Sequence, residues 1–265
     1  MHPIERLRYV ARAAGEGPAL LAREAAGALA SFAGDPPGLV TACRRLVDRQ
    51  PASGPVWWLA ARVLTAGDAS AAAWQAVELL DDDGTAAALA SALPQDALVT
   101  VIGWPEQAGD ALRRRGDCRV LVVDACDDGE PFVHWLARAS VEAELVDPEG
   151  VGAAAAASDV VLLEATALGC GGFVGAAGSR AAAAVGRHAR ATVWVVAGVG
   201  RVLPDRMWLA LAGRIDDGEA WHAPDEVVPL DLVDAVVGPR GLEQLGDALR
   251  RADCPVAPEL LREPA

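Results

Sequence analysis

Residues 160–180 read VVLLEATALGCGGFVGAAGSR. A short apolar run gives way to a glycine-rich turn, and then to what reads as the start of an Ala-rich helix. That order places free backbone N–H groups and the positive end of a helix dipole beside a loop able to hug a ligand. Such a layout suits an anion. Yet the stretch has no Lys, Asn or His, and its one Arg is the last residue, Arg180. The loop is either still chemically active or a catalytic loop with its chemistry removed.

The runs on either side place this stretch in a repeating pattern. ALVTVIG (97–103), CRVLVVDA (118–125), EAELVD (142–147), SDVVLLEA (158–165) and ATVWVVAG (191–198) are short and β-branched. Helical stretches lie between most of them: Glu106–Arg115, Pro131–Ser140 and Gly178–Arg190. Near-continuous apolar strands alternating with helices predict a parallel sheet covered on both faces. Right-handed crossovers then give a doubly wound, Rossmann-like α/β domain over residues 93–265, with ligands expected beyond the carboxyl ends of the strands. The tail segment EVVPLDLVDAVVGPRG (226–241) reads as an extended piece, a helical turn from Leu230 and a strand ending near Val237; LEQLGDALRRA is amphipathic, and the Pro-rich last residues read as frayed.

Residues 1–92 read as a helical domain. Leu39, Cys43, Leu46 and Val47 recur at helical spacing, and Pro55 falls near a first turn, where its missing N–H costs least. Asp68 reads as the cap of a helix carrying Trp74, Val77 and Leu80 on one face, and DDDGT (81–85) as a solvated turn. The adjacent Trp57 and Trp58 suggest a binding platform, but at helical spacing at least one is expected in the core.

Composition narrows the chemistry. The chain has 265 residues, is 52% hydrophobic and carries a net charge of −14. All 23 basic residues are Arg, which excludes a Schiff-base or phosphate-loop lysine. Residues 1–92 hold 8 Arg against 10 acids and residues 93–265 hold 15 against 27, so the negative charge sits mainly in the second part. An acidic body repels phosphate backbones and argues against direct nucleic-acid binding. Five scattered cysteines show no C-x-x-C spacing, and the four histidines are far apart; neither a disulfide framework nor a metal site is expected. No G-x-G-x-x-G fingerprint follows the first strand, so no nucleotide cofactor is expected. The opening residues lack a signal-peptide core, and no window reaches the roughly 18 apolar residues of a membrane span. The chain reads as a soluble cytoplasmic protein.

Taken in order, several motifs resemble the alpha, beta and delta subunits of translation initiation factor 2B and their relatives, methylthioribose-1-phosphate and ribose-1,5-bisphosphate isomerases. RQPASGPVWWLAARVL (49–64) is similar to the family's A-R-P-T-x-x-x-L-x-x-A-L-x-x-V-L, with Gln50 for Arg and Ala52 for Thr. Residues 120–147 are similar to the strand–loop–helix–strand around E-S-R-P, with Asp124 for Glu and with Cys126 and Asp127 at the Arg-Pro positions. The 160–180 stretch is similar to L-V-G-A-D-A…D-G-x-V-N-K-x-G-T; Thr166 falls on the catalytic aspartate position and Gly175-Ala176 replace Asn-Lys, while Gly171, Val174, Gly178 and Ser179 keep the pattern. VPLDLVDAVVGPRG resembles V-P-P-E-L-I-T-A-I-V-T-E-x-G. The isomerases' catalytic cysteine follows the first strand of this domain, where this chain has VIGWPEQAG.

The resemblance implies a helical domain followed by a Rossmann-like domain, and association through the latter into a homodimer or higher oligomer. It also implies a phosphorylated small molecule as ligand. Aldose–ketose isomerisation needs a phosphate site, an acid/base thiol and a carboxylate partner. Thr166 cannot exchange a proton as a carboxylate does. Glu164, Cys170 and Cys126 are candidate replacements; the plainer readings are a solvated or capping acid and two half-buried small hydrophobes. Gly171, Gly172, Gly178, Ser179, Arg180 and Asp124 are the candidate ligand-binding residues, against a plainer reading of Ser179 as an N-cap and Gly178 as a tight turn. Arg201 and Arg206 are candidates for a cationic lip or ordinary surface arginines. The expected function is a non-catalytic binding or regulatory module with a degenerate phosphosugar or nucleotide pocket. The alternative is a sugar-phosphate isomerase with relocated catalytic groups.

Overall fold

Proline, aspartate and alanine set the helices at the start of the chain. The structure, a computed structural model, describes residues 17–215 and 220–261. His2 and the rest of the opening stretch lie outside the described residues. Among the described residues five helices precede the first strand: α1 (Pro18–Ala30), α2 (Pro36–Arg49), α3 (Gly54–Thr65), α4 (Ala69–Asp81) and α5 (Thr85–Ala92). Three of them, α1, α2 and α3, carry Pro in the first turn. Asp35 accepts from the Gly38 N–H at 3.1 Å, and Asp68 from the Ala71 N–H at 2.9 Å, each capping its helix.

Strands and helices then alternate: β1 (Leu98–Ile102), α6 (Glu106–Arg115), β2 (Arg119–Val123), α7 (Gly129–Ala137), β3 (Glu142–Val146), α8 (Val151–Ala157) and β4 (Val160–Glu164). A hairpin of β5 (Ala167–Gly169) and β6 (Gly172–Ala176) follows, then α9 (Ser179–Ala189), β7 (Thr192–Val196) and α10 (Asp205–Ile215). After them come β8 (Asp225–Val228), β9 (Ala235–Gly238), β10 (Gly241–Glu243) and α11 (Leu245–Arg250).

Among the described residues the main sheet has the order β10-β9-β7-β4-β1-β2-β3. It is parallel except where β10 pairs antiparallel with β9. The inner strands are buried on both faces, which is why their sequences are apolar without alternation. The strand order reverses between β1 and β4, the point at which open α/β sheets leave a crevice. The chain is thus a mixed α/β protein with an N-terminal helical region and a mostly parallel central sheet.

The structure corrects three local readings. The glycine-rich segment after β4 is a β-hairpin, not a loop running into a helix. It pairs with β8 to form a second, antiparallel sheet in the order β5-β6-β8. The glycines serve close packing: a Cβ on Gly169 would sit 2.3 Å from Trp208 Cγ, and one on Gly171 would sit 2.8 Å from its Nε1. On α4 the buried face is Ala69, Ala73, Ala76 and Leu80, and Trp74 is 54% exposed. The described part of the C-terminal segment is docked rather than frayed, with Ala257 and Leu260 wholly buried against the helical layer. Both Trp57 and Trp58 are core residues, with indole N–H groups donated to the Pro51 and Asp253 carbonyls at 3.1 and 2.9 Å.

The helical layer does not stand apart from the sheet. Its core takes in Trp208 and Leu211 of α10, while Leu89 of α5 packs into the sheet's own core. The start of α3 lands at the mouth of the sheet, where the Gly54 N–H donates to the Thr166 carbonyl at 3.0 Å. A Cβ on Gly54 would lie 2.6 Å from that carbonyl oxygen, so the approach requires glycine.

Candidate functional site

The crevice between β1 and β4 is occupied by the protein's own charges. Helix α6 begins just beyond β1, and its first-turn N–H groups have no intrahelical partner. Those of Gln107 and Ala108 converge on Glu164 Oε2 at 2.9 and 3.1 Å. The acid at the end of β4 therefore lies on the positive end of the α6 dipole, as a bound anion would. Its other oxygen, Oε1, accepts from Arg201 Nη1 at 2.9 Å, and that same nitrogen donates to the Ala165 carbonyl at 2.7 Å. The Arg201 side chain is 2% exposed and that of Glu164 10%. Arg201 is thus no surface residue, whereas Arg206 is exposed.

A second carboxylate braces this pair. Asp83 Oδ1 caps the start of α5 by accepting from the Thr85 N–H and hydroxyl at 2.9 and 2.6 Å. Its Oδ2 accepts from Gln107 Nε2 at 2.6 Å and from the Val199 N–H at 2.9 Å. The turn DDDGT is therefore a clamp between the helical region, α6 and the loop after β7. Beside it, burial pushes the Glu106 carboxyl up from its ordinary value, and the neighbouring Glu164 charge adds to this.

Thr166 sits two residues beyond β4, at the mouth of the sheet and half-buried. Its N–H donates to the Val174 carbonyl at 2.9 Å, and its hydroxyl faces the same carbonyl at 3.4 Å. The side chain is turned to its own hairpin, and among the described residues the acceptor for its hydroxyl is that backbone carbonyl.

One amide at the start of α9 is also engaged. Gly178 is the N-cap in a left-handed conformation (φ +98°), so Ser179 is not the cap and is buried. The Arg180 N–H donates to Glu226 Oε1 at 2.9 Å, and its guanidinium donates to the Val227 carbonyl. Strand β8 thus supplies an internal carboxylate to this helix end and spends the arginine on holding itself in place.

Neither candidate thiol is activated. Cys126 follows Asp124, whose carboxylate accepts from the Gly129 N–H at 2.8 Å at the start of α7. Cys126 and Asp127 both have positive φ, 56° and 63°, which turns the thiol to the surface. Partial burial raises the thiol above its usual value, and the charges of Asp128, Asp225, Asp127 and Asp124 raise it further. Cys170 occupies the hairpin turn with Gly171 and is exposed rather than half-buried; residual desolvation and Asp205 raise it. Thiolate chemistry needs the opposite environment. The structure also gives Glu164 and Cys170 different surroundings, α6 with Arg201 for one and Asp205 for the other. Gly172 is buried in β6 opposite Gly169.

Sequence reasoning missed Asp83, Gln107 and Glu226 altogether. A partial signal existed for Arg201: an arginine just past one strand and a glutamate closing the adjacent strand are placed to pair across a parallel sheet.

With helices resting on the mouth of a sheet that carries a hairpin after β4, the architecture can be compared with known structures. The translation initiation factor eIF-2B of Pyrococcus horikoshii OT3 superposes with a TM-score of 0.77, over 91% of this chain and 96% of that chain, at 14% identity. The fold is that of the initiation factor 2B subunits. A chain of the tetrameric eIF2B-beta2-delta2 complex of C. thermophilum shares it at a TM-score of 0.72 and 17% identity, covering 94% and 93% of the two chains. So does 5-methylthioribose 1-phosphate isomerase from Pyrococcus horikoshii OT3, at 0.65 and 13% identity, covering 94% and 87%. No family model and no curated protein sequence matches the chain. Among the described residues no helix is long and apolar enough to cross a membrane, and no group of three or more His, Cys, Asp or Glu could hold a metal ion.

Proposed function

We propose that this chain is a non-catalytic binding or regulatory module built on the initiation-factor-2B fold, with a degenerate phosphosugar or nucleotide pocket at the mouth of its sheet. One observation carries the reading: both oxygens of Glu164 are held by donors of the protein itself, from α6 and from Arg201. A general base must reach a substrate proton, and a phosphate must reach unspent donors. Thr166 at the aspartate position and the raised thiols of Cys126 and Cys170 point the same way. On this reading the protein works as a homodimer or higher oligomer, since a similarly folded chain is part of a tetrameric complex. Light scattering on the purified protein tests that part.

The main test is direct. The protein is incubated with ribose 1,5-bisphosphate or methylthioribose 1-phosphate, and ketose is followed by NMR, while AMP and GMP are added in thermal-shift titrations. The reading expects no ketose above the protein-free rate. Turnover that disappears in Glu164→Ala would establish the isomerase with relocated groups instead.

A further inference from the structure

We infer that Glu164 occupies an oxyanion subsite made by the first-turn amides of α6 and the Arg201 guanidinium, and that a small phosphate-type oxyanion binds there when Glu164 swings out. The inference rests on the binding-module reading and gives that module's pocket a place and a ligand chemistry.

Three donors already converge on the carboxylate: the Gln107 and Ala108 amides on one oxygen, Arg201 Nη1 on the other. Two adjacent amides at a helix start plus an arginine fork form a receptor for a doubly charged oxygen cluster. Independently, Arg201 Nη2 is buried and has no hydrogen-bond partner among the described residues. It belongs to the same planar fork whose Nη1 grips Glu164. A carboxylate has two oxygens, and both are engaged. A tetrahedral oxyanion brings a third, and Nη2 is the donor left for it. An unpaired buried donor on an ionised group is costly, so the present occupant fits the cradle incompletely.

The occupant is also the partner placed to leave. Its side chain is 10% exposed, while that of Arg201 beneath it is 2% exposed. Glu106 stands next to it on α6, and the two acids repel; burial chiefly, and then this repulsion, raises the Glu106 carboxyl. Glu106 and Asp83 also face an incoming anion, so wild-type affinity is expected to be weak.

The probe is inorganic phosphate, titrated in chloride buffer at fixed ionic strength, with the melting temperature and calorimetric heat as readouts. Glu164→Ala is expected to bind phosphate saturably and roughly tenfold or more tighter than wild type, a gain of about 1.4 kcal/mol. Adding Arg201→Met to that variant is expected to abolish the gain. General salting-out by phosphate would instead be non-saturable and would survive Arg201→Met; that result overturns the inference. Glu164→Gln keeps the side-chain volume and guards against a folding failure in Glu164→Ala. It is expected to gain phosphate affinity too, and no gain in either variant refutes the subsite. Sugar-phosphate turnover by wild type would overturn the non-catalytic reading while leaving the subsite standing; a silent phosphate titration does the reverse.

Discussion

Removing either partner of the Glu164–Arg201 pair should destabilise the protein by unequal amounts, and the structure says which is worse. Glu164→Leu leaves the Arg201 guanidinium buried with one remaining acceptor among the described residues, the Ala165 carbonyl at 2.7 Å. It also strips the Gln107 and Ala108 amides of their common partner. Leaving an uncompensated buried charge costs about 3–5 kcal/mol. Arg201→Met leaves Glu164 with two amide donors and a side chain 10% exposed, so the loss is one charged hydrogen bond, about 1.5–3 kcal/mol. The double variant removes both charges and is expected to cost less than Glu164→Leu alone, because an apolar pair of similar volume replaces a buried ion pair at little net cost. Urea unfolding of wild type, both singles and the double gives the coupling directly, expected at about 2 kcal/mol or more. Against a typical total of about 5–15 kcal/mol, Glu164→Leu is a severe lesion. Additive single costs, or an Arg201 variant worse than the Glu164 variant, would refute the view that the guanidinium depends on this carboxylate.

Gly54→Ala should lower stability by about 1–3 kcal/mol, measured by the urea midpoint, because its Cβ would meet the Thr166 carbonyl oxygen at 2.6 Å and neither backbone can yield cheaply. Asp83→Ala should cost about 2–4 kcal/mol, and hydrogen exchange at the Thr85 and Val199 amides should quicken together, since one carboxylate holds both. Glu226→Ala should cost about 0.5–2 kcal/mol by removing the acceptor at the start of α9, with protection lost first at the Arg180 amide. The pH dependence follows from carboxyls raised in the native state: Glu106 by burial and Glu164, Asp128 by burial and Asp124, and Asp225 by burial. The folded protein holds these protons longer than the unfolded chain, so their effect favours folding at low pH and fades as pH rises through the raised values. The melting temperature should therefore be higher at about pH 5 than at about pH 7, with a shallower slope in Glu106→Gln. Asp117, held down at about 2 by its bond to Arg115, acts oppositely, and its contribution is lost only as pH falls from 3.8 through that value.

The pattern of short apolar runs predicted β1, β2, β3, β4 and β7, and Glu106–Arg115 is the helix that the sequence suggested. The tail segment was also legible, with Asp225–Val228, the turn at Leu230–Leu232 and Ala235–Gly238 in the expected order. The glycine-rich stretch was misread because glycines in a turn into a helix and glycines packed under an indole look alike in one dimension. Only the position of Trp208, on a helix far along the chain, separates the two. The candidate site was legible as a location and not as a constellation. Glu164 and Thr166 stand at the mouth where strand periodicity put them. The partners that fix Glu164 come from residues 107, 108 and 201, and the brace from residue 83.

Local pattern thus determined the inner strands, their order and the parallel sheet, because burial on both faces dictates continuous apolar strands whatever surrounds them. The absence of lysine was equally fixed by sequence, and with it the absence of lysine chemistry. Which charges neutralise one another was decided only in three dimensions. An acid at a strand end can be a base, a cap or a bound-anion mimic, and its role depends on the donors that distant segments bring to its two oxygens. Folding brought α6 and Arg201 to Glu164, and Glu226 to the start of α9, which set an internal carboxylate at each of two helix starts.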